Sequence, residues 1–325
     1  MHTMLKHYTA SLRALALGAA TLAAAAALAL TPAQAVAAKP AQKTFATPEE
    51  AVKAAVEAVA AHDRKALKAI LGPDSERLLS SGDAVADRKV GEQFVALYNE
   101  SHKIERDGEA RAVLQVGKND WPLPIPLVRQ GEAWRFDTAA AREEIIDRRI
   151  GRNELFTIQT MLAIADAQQD YAARDRNGDG LLAYAQKFPS SPGKRDGLYW
   201  PTKAGEEPSP LGPLAAQAAG EGYKKTGGKP QPYHGYYFRI LTGQGKGAPG
   251  GAYDYLVKKE MIGGFAVLAW PAKYGNSGVM SFMVNHEGVV WQKDLGPKTA
   301  AAAAKISRFD PADGWTKVEQ KEPVR

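Results

Sequence analysis

Asp175, Asn177 and Asp179, followed by Gly180, are this chain's nearest approach to a metal-ligand pattern. Oxygens at alternate positions converge on one hard cation, the glycine admits a sharp turn, and the Leu181 carbonyl would be the next ligand of a calcium loop. Such a loop places a bidentate Glu at its twelfth position, where this chain has Gln186; the ninth position is Ala183. Two oxygens are therefore missing, and the pattern reads either as a weak calcium site or as a turn whose side chains cap backbone amides. A second group sets cations beside large aromatics: Lys194 and Arg195 next to Tyr199 and Trp200, with another aromatic turn at Tyr274 and Asn276. These side chains either stack on sugars and clamp an anionic polymer, or pin a long loop to a sheet.

The rest of the inventory excludes more than it offers. His62, His102, His234 and His286 stand in no metal-ligand spacing, and no Gly-x-Ser-x-Gly elbow is present. His234 lies among Tyr233, Tyr236 and Tyr237, where a packed or surface imidazole is the commoner outcome than a catalytic base. Gly243-Gln244-Gly245-Lys246-Gly247 lacks the four-residue gap and the hydroxyl of a phosphate loop, and reads as a flexible loop. No residue is assigned a catalytic role. Without cysteine there is no disulfide, thiolate nucleophile or cysteine-ligated metal. The net charge of +6 contains no basic run of five, so nucleic acid is not an expected partner.

The elements that must hold these groups fall into two series. Thr47-Pro48-Glu49-Glu50 supplies a capping hydroxyl, a first-turn Pro and a Glu three residues after the cap, which predicts a helix burying Val52, Ala55, Val56 and Val59. A second helix runs from about 64 to 71, and a third carries Val90, Phe94 and Leu97 on one face. Ala112, Leu114 and Val116 then alternate as an inward strand face. In Trp121-Pro-Leu-Pro-Ile-Pro-Leu127 every second residue lacks an N–H, which predicts an edge strand with Trp121, Leu123, Ile125 and Leu127 facing one way. Helices followed by a curved antiparallel sheet is the order of nuclear-transport-factor-like cones. From Ala139 the period is helical again, with a kink at Gly151, a cap at Asn153-Glu154 and a stripe of Leu155, Ile158, Leu162 and Ala165 that would cover four later antiparallel strands. The expected class is α+β: an N-terminal domain at 45–138, a long-helix and antiparallel-sheet domain at 139–318, and a tail at 319–325.

Ahead of them, Lys6 and Arg13 precede the uncharged run Ala14–Leu30, and Ala33-Gln34-Ala35 matches the small-residue rule for signal cleavage. Alanine fills ten of those seventeen positions, too weakly apolar for a membrane anchor, so cleavage after Ala35 is expected, with a linker at 36–44 and no transmembrane segment in the mature chain.

Four runs carry a family resemblance: Ile150 to Glu154, Pro192 to Pro201, Pro232 to Arg239 and Tyr274 to Met280. They resemble the exported bacterial family known as domain of unknown function 2950, which implies no activity. The long helix, the Asp175 turn and the strands Phe265–Val267 and Phe282–Val289 are also similar to the soluble heads of type IV pilins, without the apolar N-terminal half-helix those subunits assemble by. The expected function is a periplasmic or secreted binding module of the cell envelope. Its partner would be an envelope protein or an anionic or glycan polymer. The alternative is a hydrolase-like enzyme with a pocket in the N-terminal domain, and nothing in the sequence fixes the oligomeric state.

Overall fold

Helix α1 (Pro48–Ala60) begins as its sequence dictates: Thr47 Oγ1 accepts the Glu50 amide at 3.1 Å, and Glu50 reaches back to the Ala46 amide at 3.2 Å. In this computed structural model the described residues are 42–224, 230–312 and 314–319; the expected signal, its cleavage point, most of the linker and the end of the tail lie outside them. Helices α2 (Arg64–Leu71), α3 (Glu76–Leu79) and α4 (Ala84–Glu100) follow. Val90 and Leu97 of α4, expected inside, are 48% and 41% exposed. The helix turns Phe94 and Tyr98 to the core instead, with Gly91 close enough to α1 that a methyl there would sit 3.2 Å from Val59.

An antiparallel sheet comes next, formed by β1 (His102–Asp107), β2 (Arg111–Val116), β3 (Trp121–Pro122), β4 (Leu127–Gln130) and β5 (Ala133–Phe136). Its order is β1-β2-β4-β5, with β3 paired to β2. Ala112, Leu114 and Val116 are buried as their alternation requires. The proline-rich run does not make one edge strand. Trp121 and Pro122 pair with β2 and the Leu123 amide donates to the Leu114 carbonyl at 2.7 Å; the chain then leaves the ladder, and pairing with β2 resumes at Leu127. Ile125 and Leu127 reach the core, whereas Trp121 stands 59% exposed, so the four apolar residues do not share a face.

Helix α5 (Thr138–Ala172) is a single 35-residue helix capped by Asp137. The helix continues through Gly151, and Asn153 and Glu154, in its middle, are not a cap. Leu155, expected on the buried stripe, is 64% exposed; the covered face carries Asn153, Thr157, Met161, Ile164, Gln168 and Tyr171. After α6 (Gly212–Gly220) come β6 (Tyr236–Leu241), β7 (Gly243–Gln244), β8 (Tyr253–Asp254), β9 (Leu256–Val257), β10 (Glu260–Met261), β11 (Ala266–Pro271), β12 (Met280–Asn285), β13 (Trp291–Asp294), α7 (Thr299–Lys305) and β14 (Thr316–Lys317). Five strands form an antiparallel sheet in the order β14-β13-β12-β11-β6. Ala266–Ala269 of β11 are all fully buried, because α5 and α7 both pack on that strand. The glycine-rich run read as a flexible loop is fixed: Gln244 is fully buried and donates to the Pro249 and Gly251 carbonyls.

Apolar side chains gather in two clusters. One contains α1, Ile70, β2, Trp134 and Phe136; the other lies between the second half of α5 and the five-stranded sheet. Ala141 and Ile145, in the first turns of α5, belong to the first cluster, and Ile158 onward to the second.

Candidate functional site

The two clusters meet at a joint made of polar groups. Arg149 on α5 donates to the Arg77 carbonyl at 2.9 Å, the Leu78 carbonyl at 2.6 Å and Asn276 Oδ1 at 2.8 Å, while Asn276 Nδ2 donates to the Ser80 carbonyl at 2.7 Å. Burial lowers the Arg149 pKa and raises that of Asp87 nearby. One turn along α5, Asn153 donates to the Ser277 carbonyl, and Glu154 accepts the Val279 and Met280 amides at 2.9 and 3.0 Å, which fixes the entry to β12. A side chain at Gly278 would land on the Tyr236 hydroxyl, which is why that turn needs glycine.

Asp83, 1% exposed, is the second anchor of the joint. Its Oδ1 caps α4 through the Val85 and Ala86 amides, and its Oδ2 accepts the Tyr223 hydroxyl at 2.8 Å and the Gly235 amide at 2.9 Å. Beside it His234, at φ 47°, stacks on Phe156 with ring centroids 4.3 Å apart. Its Nε2 lies 2.9 Å from Glu221 Oε2, a charge contact that lacks the alignment of a hydrogen bond. Burial lowers the His234 pKa against the opposing pull of Glu221 and Asp83. For Glu221, burial pushes up, but the Gln217 hydrogen bond and the charges of His234 and Lys89 outweigh it and hold the pKa low. Three of the runs that carried the family resemblance, those at Ile150, Pro232 and Tyr274, thus come together here and spend their polar groups on one another.

The other expected sites resolve differently. In the Asp175 turn Oδ1 accepts the Gly178 and Asp179 amides, Oδ2 accepts the Gly180 amide at 2.8 Å, and Asp179 Oδ1 accepts the Leu181 amide. These amides, Gly180 first, hold the Asp175 pKa low. Asn177 and Leu181 share a cavity of about 50 Å³ with Asp196 and Glu260, yet no three His, Asp or Glu among the described residues are placed to hold a metal ion. Of the six residues expected to form a binding surface, Trp200 and Asn276 are 6% and 5% exposed. The Trp200 ring has the Arg195 and Arg176 guanidinium carbons 5.4 and 5.9 Å from its centroid, so the chain's own cations occupy the positions a sugar would need. Lys194 and Arg195 are exposed on a loop tied by the Ser190–Tyr199 and Tyr199–Phe188 backbone bonds and by Tyr171, which donates to the Arg195 carbonyl at 2.6 Å. In that loop Asp196 is held to about 2: burial acts upward, but Lys187 and the Ser191 amide and hydroxyl prevail. Tyr274 is half-buried and donates to Asp294 Oδ2.

What sequence reasoning missed is a groove of about 410 Å³ in the N-terminal half. Trp121, Pro122, Leu123, Pro124 and Pro126 line it from β3 and the segment beyond, Arg111 and Val113 from β2, and Glu144 and Arg148 from the first half of α5. Its charges are loosely held: Arg148 pairs with Glu144, and Arg111 with Asp107 at 3.0 Å, all four about half exposed or more. The signal was present in the sequence, since a Trp before alternating prolines sits where the ladder cannot continue.

The fold is α+β, a helical N-terminal half with an antiparallel sheet and a long helix laid on a second one. Among the described residues no helix is long and apolar enough to cross a membrane. The chain belongs to the family of proteins of unknown function DUF2950, whose sequence model matches residues 42–318. No curated protein and no solved structure matches it.

Proposed function

We propose that the chain is an exported binding module of the cell envelope and that its ligand seats in the Trp121 groove. The observation that carries this is the exposure of Trp121. The chain's other five tryptophans are buried or half-buried, whereas this one stands 59% exposed at the mouth of a ligand-sized concavity. Among the described aromatics only Tyr253, at 37%, is exposed besides it, and an indole set beside a concavity offers a large amphipathic contact area to a ligand. Binding is favoured over hydrolysis by the lining, which offers one carboxylate, Glu144, and no His or Ser; bond cleavage of the glycosidic kind needs two carboxyl groups across the substrate. Export rests on the residues before Val36.

The test uses protein recovered from the exported fraction, expected to begin at Val36, immobilised beside its Trp121→Ala variant. Envelope extract separated into polysaccharide, lipid and protein fractions is passed over both. Retention of one fraction by the parent and its loss in the variant is the expected result. Because Trp121 is exposed, the variant should unfold within about 0.5 kcal/mol of the parent. Identical retention by both would remove the groove from the function.

A further inference from the structure

We infer that the groove takes an acidic glycan, a chain of pyranose units carrying carboxylates; this rests on the groove being the ligand site. The occupant follows from what the groove offers and withholds. Pro122, Pro124 and Pro126 have no N–H to donate, so an extended peptide cannot zip onto this segment by main-chain hydrogen bonds. What remains is recognition by the side chains that line the groove. The exposed Trp121 ring presents a face to the C–H side of a sugar. Arg111 and Arg148 present planar forks that match a carboxylate with two parallel N–H donors.

Those forks are available. Each guanidinium is half exposed and engaged by a single solvent-exposed carboxylate, an arrangement worth little in water and readily exchanged for a ligand's carboxylate. Glu144 completes the set as an acceptor for sugar hydroxyls, which a glycan offers at every unit and a deoxynucleotide chain lacks along its length. The lining carries two cations against one anion, a net positive balance that a carboxylate-bearing polysaccharide complements.

The experiment is calorimetric titration of the exported protein with alginate oligomers, with dextran oligomers and single-stranded oligonucleotide as comparators. Alginate should bind, Trp121→Ala and the double variant Arg111→Gln, Arg148→Gln should each weaken it about tenfold or more, and added salt should weaken the parent but not the double variant. Dextran and oligonucleotide should bind at least about tenfold more weakly than alginate. Equal binding of dextran, unaffected by the arginine variants, would overturn the acidic class and keep a glycan groove. Preference for the oligonucleotide would overturn the glycan. Alginate binding that survives Trp121→Ala would place that ligand elsewhere on the protein. No alginate binding, beside an envelope fraction held through Trp121, would sink this inference and leave the proposed function standing; loss of both would sink the groove itself.

Discussion

Arg148 and Arg149 are adjacent on α5 and lead opposite lives. Arg148 lies 57% exposed in the groove against an equally exposed Glu144; Arg149 is half-buried in the joint and donates to two carbonyls and an amide oxygen. Outside the His234–Glu221 contact, the polar groups of the joint satisfy one another away from water, whereas those of the groove pair loosely in water. A saturated network stabilises and specifies, because each lost partner strands a buried group. An unsaturated, solvated one is free to exchange its partners for a ligand. Substitutions in the joint should therefore move stability and spare binding, and those in the groove should do the reverse.

The largest effect expected is from Asp83→Ala. It removes the α4 cap and strands the buried Tyr223 hydroxyl and Gly235 amide, so denaturant titration should show a loss of about 3 kcal/mol, with groove retention unchanged in the fraction that stays folded. A loss of binding at full stability would merge the two regions into one site. Next comes the Asp175 turn, which belongs to neither region. Asp175→Ala should lower the melting temperature by a few degrees by freeing three amides, equally in calcium and in chelator. A rise in calcium seen in the parent and absent from an Asp175→Ala, Asp179→Ala variant would put a cation there after all.

The smallest effect is a pH dependence of the joint. His234 has a lowered pKa in the fold, so as pH falls through the ordinary imidazole value near 6.5 the unfolded chain takes up the proton first and stability declines. Glu221, also lowered, adds its own decline only below the ordinary carboxylate range. Lys89, Asp83, Tyr223 and Tyr233 face the same imidazole and carboxylate. His234→Asn, which keeps a residue tolerant of positive φ, should flatten the stability profile between about pH 7 and 5.5 and shrink, without abolishing, the decline below 4.5, because Gln217 and Lys89 still hold Glu221 low. An unchanged upper limb would acquit the imidazole.

The helices and the inner strands were legible because burial on one face leaves a period: Ala112, Leu114 and Val116 could lie nowhere else, and the Thr47 cap announces α1. Leu155, Val90 and Leu97 misled, since they have the right spacing for a stripe while Asn153, Gln168 and Tyr171 take the covered face through hydrogen bonds that hydropathy does not register. Trp200 left two readings open for the converse reason: its aromatic character is visible, while its enclosure by neighbouring Arg195 and by Arg176, from a turn more than twenty residues away, depends on the fold. The joint was illegible as a site. Asp83, Arg149, Glu221 and Asn276 are ordinary surface residue types, and only the fold brings them within reach of one another.

The uninterrupted α5 has a consequence for how this chain tolerates change in length. Its residues line the groove at Glu144 and Arg148 and bond to the second sheet, at the entry to β12, through Asn153 and Glu154, all on one continuous helix. One residue added between these pairs would turn everything beyond it by about 100° and advance it about 1.5 Å. The helix is thus a fixed-pitch screw between two fittings: sequence there can drift in composition, but insertions and deletions must be accommodated in the loops.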